Sequence, residues 1–453
     1  MKIQLPQNVD YIINELMKNG FDAYAVGGCV RDSMLNKEPM DWDITTNASP
    51  MEVKSIFRRT IDTGIEHGTV TVMIDKEGYE VTTYRIDGEY EDNRHPKEVT
   101  FTSNLVDDLA RRDFTINAMA YNDKMGLVDV FGGYEDLKNK VIRCVGSAKE
   151  RFDEDALRIL RAIRFSAQLG FTIHKETLEA IEEKASYLTN ISAERIRVEL
   201  CKLLVSDYPE RLIDAYEIGI TKVILPEFDA MMETNQNNPH HVYNVGVHTI
   251  KAVKVVGNDD KFTEKEKLIL KWAMLLHDVE KPSCRFIGED GKEHFWGHQE
   301  KGADTAKVIL RRLKFDNETI NYVYRLVKWH DYEFTLNEVS MRKSMNRIGN
   351  DLMDLLFEIK RGDILAQNPD TIEDKVVKLV IAKVLVEDIK NKCECVDLKA
   401  LQINGSDLIA IGYEKGKRIG EVLNQLLDLV IEDPSLNEKD ILLEKAKKML
   451  ERN

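Results

Sequence analysis

Two hydrophobic periods divide the chain. Up to about residue 130, short apolar or alternating runs are separated by turn residues, and 21–26, 41–45, 69–74 and 79–85 read as strands. Beyond that point apolar residues recur at three- and four-residue spacing. Residues 160–169 read as an apolar helix, and 191–200 as a helix capped by Ser192. The pattern predicts an α+β fold, with an N-terminal mixed β-sheet head and an all-α remainder. Pro226, the polar stretch 233–239 and residues 393–404 interrupt the helical period, so four segments are expected: 1–135, 136–205, 206–392 and 393–453. No internal repeat or low-complexity segment is evident.

The strand expected at 21–26 runs into Val26-Gly27-Gly28-Cys29-Val30-Arg31-Asp32. The glycine pair lets the backbone turn tightly against a ligand, and a helix over 30–35 would aim its first N–H groups at phosphate. Arg31 adds a bidentate donor. Asp41 and Asp43 follow, flanking Trp42. On a strand the period of two puts both carboxylates on one face, where they can grip divalent cations. A lone pair of this kind is more often a solvated strand end, but beside a phosphate-binding turn it points to metal-dependent phosphoryl transfer. Glu80, on the strand 79–85, stands where a third carboxylate could join them; an ordinary exposed strand glutamate is the equal alternative.

Two further constellations carry charge into apolar surroundings. Arg111-Arg112-Asp113 leads into Ala118-Met119-Ala120, where charges are costly without a ligand or partners. Glu154, Asp155 and Arg158 are spaced to share one helix face, with Arg161 and Arg164 following them. Surface ion pairs and an intrahelical salt bridge are the plainer alternatives. Between 240 and 370, His248, His277, Asp278, His298, His330 and Asp363 supply imidazoles and carboxylates, a donor set that suits a transition metal.

Taken together, the 27–32 loop, Pro39-Met40-Asp41-Trp42-Asp43-Ile44-Thr45-Thr46 and Arg111-Arg112-Asp113-Phe114-Thr115-Ile116-Asn117-Ala118-Met119-Ala120 resemble the class II nucleotidyltransferases, bacterial CCA-adding enzymes and poly(A) polymerases. The resemblance implies addition of C, C and A to a tRNA 3' end from CTP and ATP, with release of pyrophosphate. It makes Asp41, Asp43 and Glu80 the catalytic set, with Mg2+ on Asp41 and Asp43. Nucleotide binding falls to Gly28, Arg31, Arg112, Asp113 and Asn117, and to the segment holding Glu154, Asp155, Arg158, Arg161 and Arg164. Glu154-Asp155-x-x-Arg158 corresponds to the family's amino-acid template for the base. A carboxylate accepts from the exocyclic amino group of cytosine or adenine and a guanidinium donates to acceptors on the same edge, whereas uracil and guanine offer a carbonyl where the amino group is needed.

The polar segment 85–96 resembles the flexible loop that full CCA-adding enzymes use to switch from C to A, and 191–200 their structural neck motif. Residues 403–420, with Lys415, Lys417 and Arg418, resemble the tRNA-contacting tail; a charged surface turn is the alternative. The His/Asp set has the order of the HD phosphohydrolase superfamily, with Glu280 where its motif carries Gly and with Lys281 and Pro282 in place. Whether that second site turns over stays open. The competing readings are an oligo(A)-adding polymerase, or an HD phosphohydrolase whose head only binds RNA.

Composition changes the picture in three places. The net charge of -15 confines any RNA to a local basic surface, because phosphate contacts need Lys and Arg. The start has no signal-peptide core and no run is long enough to span a bilayer, so a cytoplasmic protein without membrane or DNA partners is expected. Six scattered Cys suggest reduced, structural thiols. Oligomeric state is not legible.

Overall fold

The computed structural model describes residues 2–88, 99–236, 242–289 and 293–451. The chain divides into two compact units, Met1–Pro226 and Glu227–Asn453, a division that falls within the expected segment 206–392. Residues 89–98, most of the segment expected to be a flexible loop, lie outside the described residues.

The strands of the first unit are β1 (Ala23–Val26), β2 (Ile44–Thr46), β3 (Thr60–Gly64), β4 (Thr69–Ile74), β5 (Glu77–Thr83), β6 (Arg85–Asp87), β7 (Val99–Phe101), β8 (Met119–Asn122) and β9 (Gly126–Asp129). Seven of them form one mixed sheet in the order β3-β4-β5-β2-β1-β8-β9, while β6 and β7 pair apart. Only β2 and β5 are parallel in that sheet. All four residues of β1 are buried, as expected of a central strand with β2 on one side and β8 on the other.

Three expectations need correction. The strand expected over 41–45 begins only at Ile44. Its partner β1 ends at Val26, because Gly27 turns the chain away at φ 83. The Val26 N–H still donates to the Asp43 carbonyl at 3.0 Å, so the ladder reaches Asp43 but not Asp41. The helix expected to carry Glu154, Asp155 and Arg158 on one face is two helices. The first, Ala148–Glu154, ends where Asp155 becomes extended (φ -141, ψ 103), and the second, Leu157–Leu169, follows it. The Asp155 carboxylate accepts from the Leu157 N–H at 3.0 Å and so starts a new helix in place of continuing the old one. Ser192 does stand at the N-cap of Ala193–Leu204, yet its side chain makes no cap hydrogen bond.

The second unit is helical apart from the short strand pair Phe286–Ile287 and Glu293–His294, which the helical period did not foretell. Its helix Glu264–Leu276 opens with a Thr263–Glu266 capping box and buries Trp272 completely. The C-terminal helices Gly405–Ala410, Lys417–Glu432 and Lys439–Glu451 close around Leu408, Leu426, Val430 and Leu442. The buried Arg342 joins this cluster to the helix Glu338–Ile348. Its Nε donates to the Ile431 carbonyl at 2.7 Å, near the end of Lys417–Glu432, and its Nη1 to Glu394 at 2.7 Å. None of the six cysteines is joined in a disulfide.

Candidate active site

The three predicted carboxylates lie on or just before the neighbouring interior strands β2 and β5. The β2–β5 register sets Ile44 opposite Val81, and carried back one residue it aligns Asp43 with Glu80. Asp41, Asp43 and Glu80 are all exposed. Among the described residues they do not draw together into a three-ligand cluster. Surrounding protein holds the Asp43 carboxyl above its ordinary value; Arg112 opposes this and Asp41 adds to it. A carboxylate raised by the protein crowding one side of it and by a like-charged neighbour gains from a cation, and an all-oxygen donor set suits a hard one.

Behind the turn lies a buried polar chain. Arg31 Nη1 donates to Asn117 Oδ1 at 2.6 Å, Asn117 Nδ2 donates to Asp113 Oδ1 at 3.1 Å, and Arg161 Nε donates to Asp113 Oδ2 at 2.7 Å. Arg31, expected as a bidentate phosphate donor, also holds Asp32 at 2.8 Å and is buried. Arg112 packs under the turn: a Cβ at Gly27 would lie 2.8 Å from Arg112 Nη1. Its Nη2 is 3.5 Å from the fully buried Asp108, while its Nε is buried without a partner. Gly28 begins the helix Gly28–Met34.

Burial would raise Asp113, but Arg161 and the Asn117 hydrogen bond pull it down to about 2. Its folded value lies below the unfolded one near 3.9, so the stabilisation is present above about pH 4 and is lost as pH falls toward 2. The shift corresponds to roughly 2–3 kcal/mol. In urea titrations, Asp113→Asn should therefore show a flatter loss of stability than the parent on acidification over that range. Parallel profiles would remove Asp113 from the acid response.

Each residue expected to read the base has its own support. Arg158 Nη1 pairs with Glu154 across the helix break and donates to the Arg151 carbonyl at 3.1 Å, and its Nη2 donates to the Arg111 carbonyl at 3.0 Å. The Asp155 carboxylate accepts instead from Arg195 Nη2 at 2.7 Å, contributed by Ala193–Leu204. Arg164 pairs with the buried Glu199 of that helix at 2.8 Å. Arg195, Glu199, Asp108 and Phe165 were not singled out from the sequence. The first two sit in a segment read as purely structural, and nothing in their spacing told of partners some 35–40 residues earlier.

The second predicted set converges as well. His248 Nε2 lies 2.9 Å from Asp363 Oδ1, His277 Nε2 3.1 Å from Asp278 Oδ2, His298 Nε2 3.3 Å from Asp278 Oδ1, and His298 and His330 Nε2 3.2 Å apart. Their Nδ1 atoms face the carbonyls of Ala366, Met274, Phe295 and Val327, which aims every Nε2 inward. Two three-ligand groups result, His248/His277/Asp363 and Asp278/His298/His330. Asp278 Oδ2 pairs with Lys281 Nζ at 2.7 Å, while Asp278 Oδ1 and His277 Nε2 are buried without a well-formed hydrogen bond, a cost that a cation would relieve. Glu280 points elsewhere: it accepts from Thr305 at 2.6 Å and pairs with Lys301 at 2.9 Å, so the residue in place of Gly adds no carboxylate to the set.

Three family models match stretches of the chain. Residues 23–143 match the poly A polymerase head domain, 170–232 an RNA- and SrmB-binding site of polymerase A, and 298–446 tRNA nucleotidyltransferase domain 2. The chain is 34% identical over 446 residues to the CCA-adding enzyme of Ligilactobacillus salivarius, covering 97% of this chain and 96% of that one. It is 34% identical to the Enterococcus faecalis CCA-adding enzyme, covering 96% and 94%. The crystal structure of the Bacillus stearothermophilus CCA-adding enzyme in complex with CTP is similar at TM-score 0.72 and 27% identity, over 99% of this chain and 100% of that one. A Thermotoga maritima CCA-adding enzyme complexed with tRNA shares the fold at TM-score 0.59 and 22% identity, over 99% and 100%. Among the described residues no helix is long and apolar enough to cross a membrane.

Proposed function

The chain belongs to the family of CCA-adding enzymes, and from that premise we propose that it adds C, C and A in turn to the 3' end of tRNA, using CTP and ATP and releasing pyrophosphate. The observation that carries the reading is the buried chain Arg31–Asn117–Asp113–Arg161, which ties the phosphate-binding turn to the helix bearing Arg158.

Membership of the family implies a divalent metal, and Mg2+ is the ion we assign to Asp41 and Asp43, with Glu80 beside them. When bound, it supplies a lowered pKa at the attacking hydroxyl and charge neutralisation on the triphosphate. The terminal ribose oxygen of tRNA attacks the α-phosphorus in line, and pyrophosphate leaves. Arg112 sits under the turn to meet phosphate. Asp113 and Asn117 hold Arg161 and Arg31 and order the ribose side of the pocket. Asp155 accepts from the exocyclic amino group of C or A, and Arg158 donates to the neighbouring acceptor.

Incubation with Mg2+ and tRNA ending before CCA, supplied with CTP, ATP or both, tests the reading at single-nucleotide resolution. Addition of C, C and A followed by a stop is expected. A long A tail would overturn it in favour of the polymerase, and no extension would refute nucleotide transfer.

Residues 403–420 are assigned to tRNA contact by shape, through Lys415, Lys417 and Arg418. Changing Lys417 and Arg418 together to Ala should weaken tRNA binding and lower the slope of log affinity against log salt by roughly 1.5–2. Filter binding with an unchanged slope would refute the contact.

A second reading concerns the histidine centre, and its two converging groups of imidazoles and carboxylates favour it: a transition-metal phosphohydrolase site on the same chain. Its donors are His248, His277, Asp278, His298, His330 and Asp363. With no cation bound, burial acts to lower His277, but Asp278 and Asp363 push it up to about 10, so cation and proton compete there. Metal analysis after Mn2+ loading tests it: stoichiometric metal that is lost in Asp278→Ala is expected, and equal metal in both would reject the site.

A further inference from the structure

Phe165 is 4% exposed and stands among three arginines. The guanidinium carbons of Arg164, Arg31 and Arg161 lie 3.7, 5.0 and 5.4 Å from its ring centroid. Phe114 meets the same ring edge-on at 5.8 Å, which sets its orientation. Arg31 comes from Gly28–Met34 beside the glycine turn, whereas Arg161 and Arg164 lie on Leu157–Leu169.

Each guanidinium already has its own acid: Asp32 for Arg31, Asp113 for Arg161 and Glu199 for Arg164. What the three share is the aromatic ring. This distinction matters because of geometry. A carboxylate binds a guanidinium along its N–H edge and uses up donors, while a ring attracts the flat face and leaves that edge available to oxygen. The three acids compensate the charges, but being three different partners they do not explain why all three guanidinium groups meet on one ring. Burial does lower the Arg164 pKa, Glu199 raises it and Arg161 lowers it further.

We infer that Phe165 is a positioning residue for nucleotide transfer, its ring holding Arg31 and Arg161 by their faces so that their remaining N–H groups are directed at the incoming triphosphate. The inference rests on the reading above that Arg31 and Arg161 serve the nucleotide. It assigns Phe165 no contact with substrate.

Mono-, di- and trifluorinated phenylalanine at position 165 provide the test, because fluorine drains the ring face of negative potential while hardly altering shape. KM for CTP in tRNA extension should rise stepwise to roughly tenfold in the trifluoro enzyme, with kcat changed less than about twofold. Phe165→Met, which keeps volume but has no ring, should match the trifluoro enzyme if it folds. A flat KM across the fluorinated series overturns the inference and leaves Phe165 as packing. Arg31→Lys and Arg161→Lys separate the two layers: raised KM in both beside a flat series sinks only the role of Phe165, whereas unchanged KM in both sinks the nucleotide role of the arginines and the inference with it.

Discussion

Asp43→Ala removes nucleotide addition, by on the order of 10³-fold or more in kcat, for CTP and ATP alike. The size follows from the chemistry assigned to the site, where metal-borne charge stabilisation is worth several kcal/mol and each 1.36 kcal/mol is a factor of ten. Little loss of stability should accompany it, because Asp43 is exposed and its carboxyl lies above its ordinary value, so the folded protein does not depend on its charge. Single-turnover extension, with a melting curve on the same sample, checks both halves. Activity within tenfold of the parent would refute the carboxylate site. Asp278→Ala in the second unit should leave CCA addition intact, and abolition there would move the chemistry to the histidine centre.

Asp155→Ala is expected to strike base choice first. The carboxylate is the only group assigned to accept from the exocyclic amino group, and loss of a well-placed base contact is worth about 1–3 kcal/mol of discrimination, or roughly 5–150-fold. CMP and AMP addition should fall by about that factor while UMP and GMP addition does not, so selectivity collapses from the favoured side. The variant also strips Arg195 of its partner and the Leu157 N–H of its acceptor. Asp155→Asn separates these effects, since it keeps an acceptor for Leu157 but loses the charge facing Arg195. Competition of the four nucleoside triphosphates on one tRNA measures the outcome, and an unchanged preference would refute the template.

The change of period near residue 130 made the sheet head and helical remainder legible, because a strand alternating every two residues and a helix repeating every 3.6 leave different marks. The ordered His/Asp set was equally legible, as its six residues converge just as their order implied. Local breaks were not. Asp155 interrupts a stretch with good helical spacing because its own carboxylate satisfies the Leu157 N–H, and periodicity carries no record of that competition. Residues 41–45 carry strand alternation, yet a strand needs a partner, and β1 stops at Gly27. Arg195 and Phe165 escaped for a third reason: their importance lies in contacts from α-helices and loops far away in the chain, which no single-segment pattern records.

Arg342 has a consequence for how the second unit responds to its surroundings. It ties the C-terminal helices to Glu338–Ile348, and the compact unit Glu227–Asn453 that contains both also contains the histidine centre. A cation that binds only the folded form at a hundred times its dissociation constant adds about 2.7 kcal/mol to everything that unfolds with the site. The C-terminal helices proposed to meet tRNA would thus be thermally buffered by metal supply at the histidine centre, and a chelator that strips that metal should lower their melting temperature together with that of the rest of the unit.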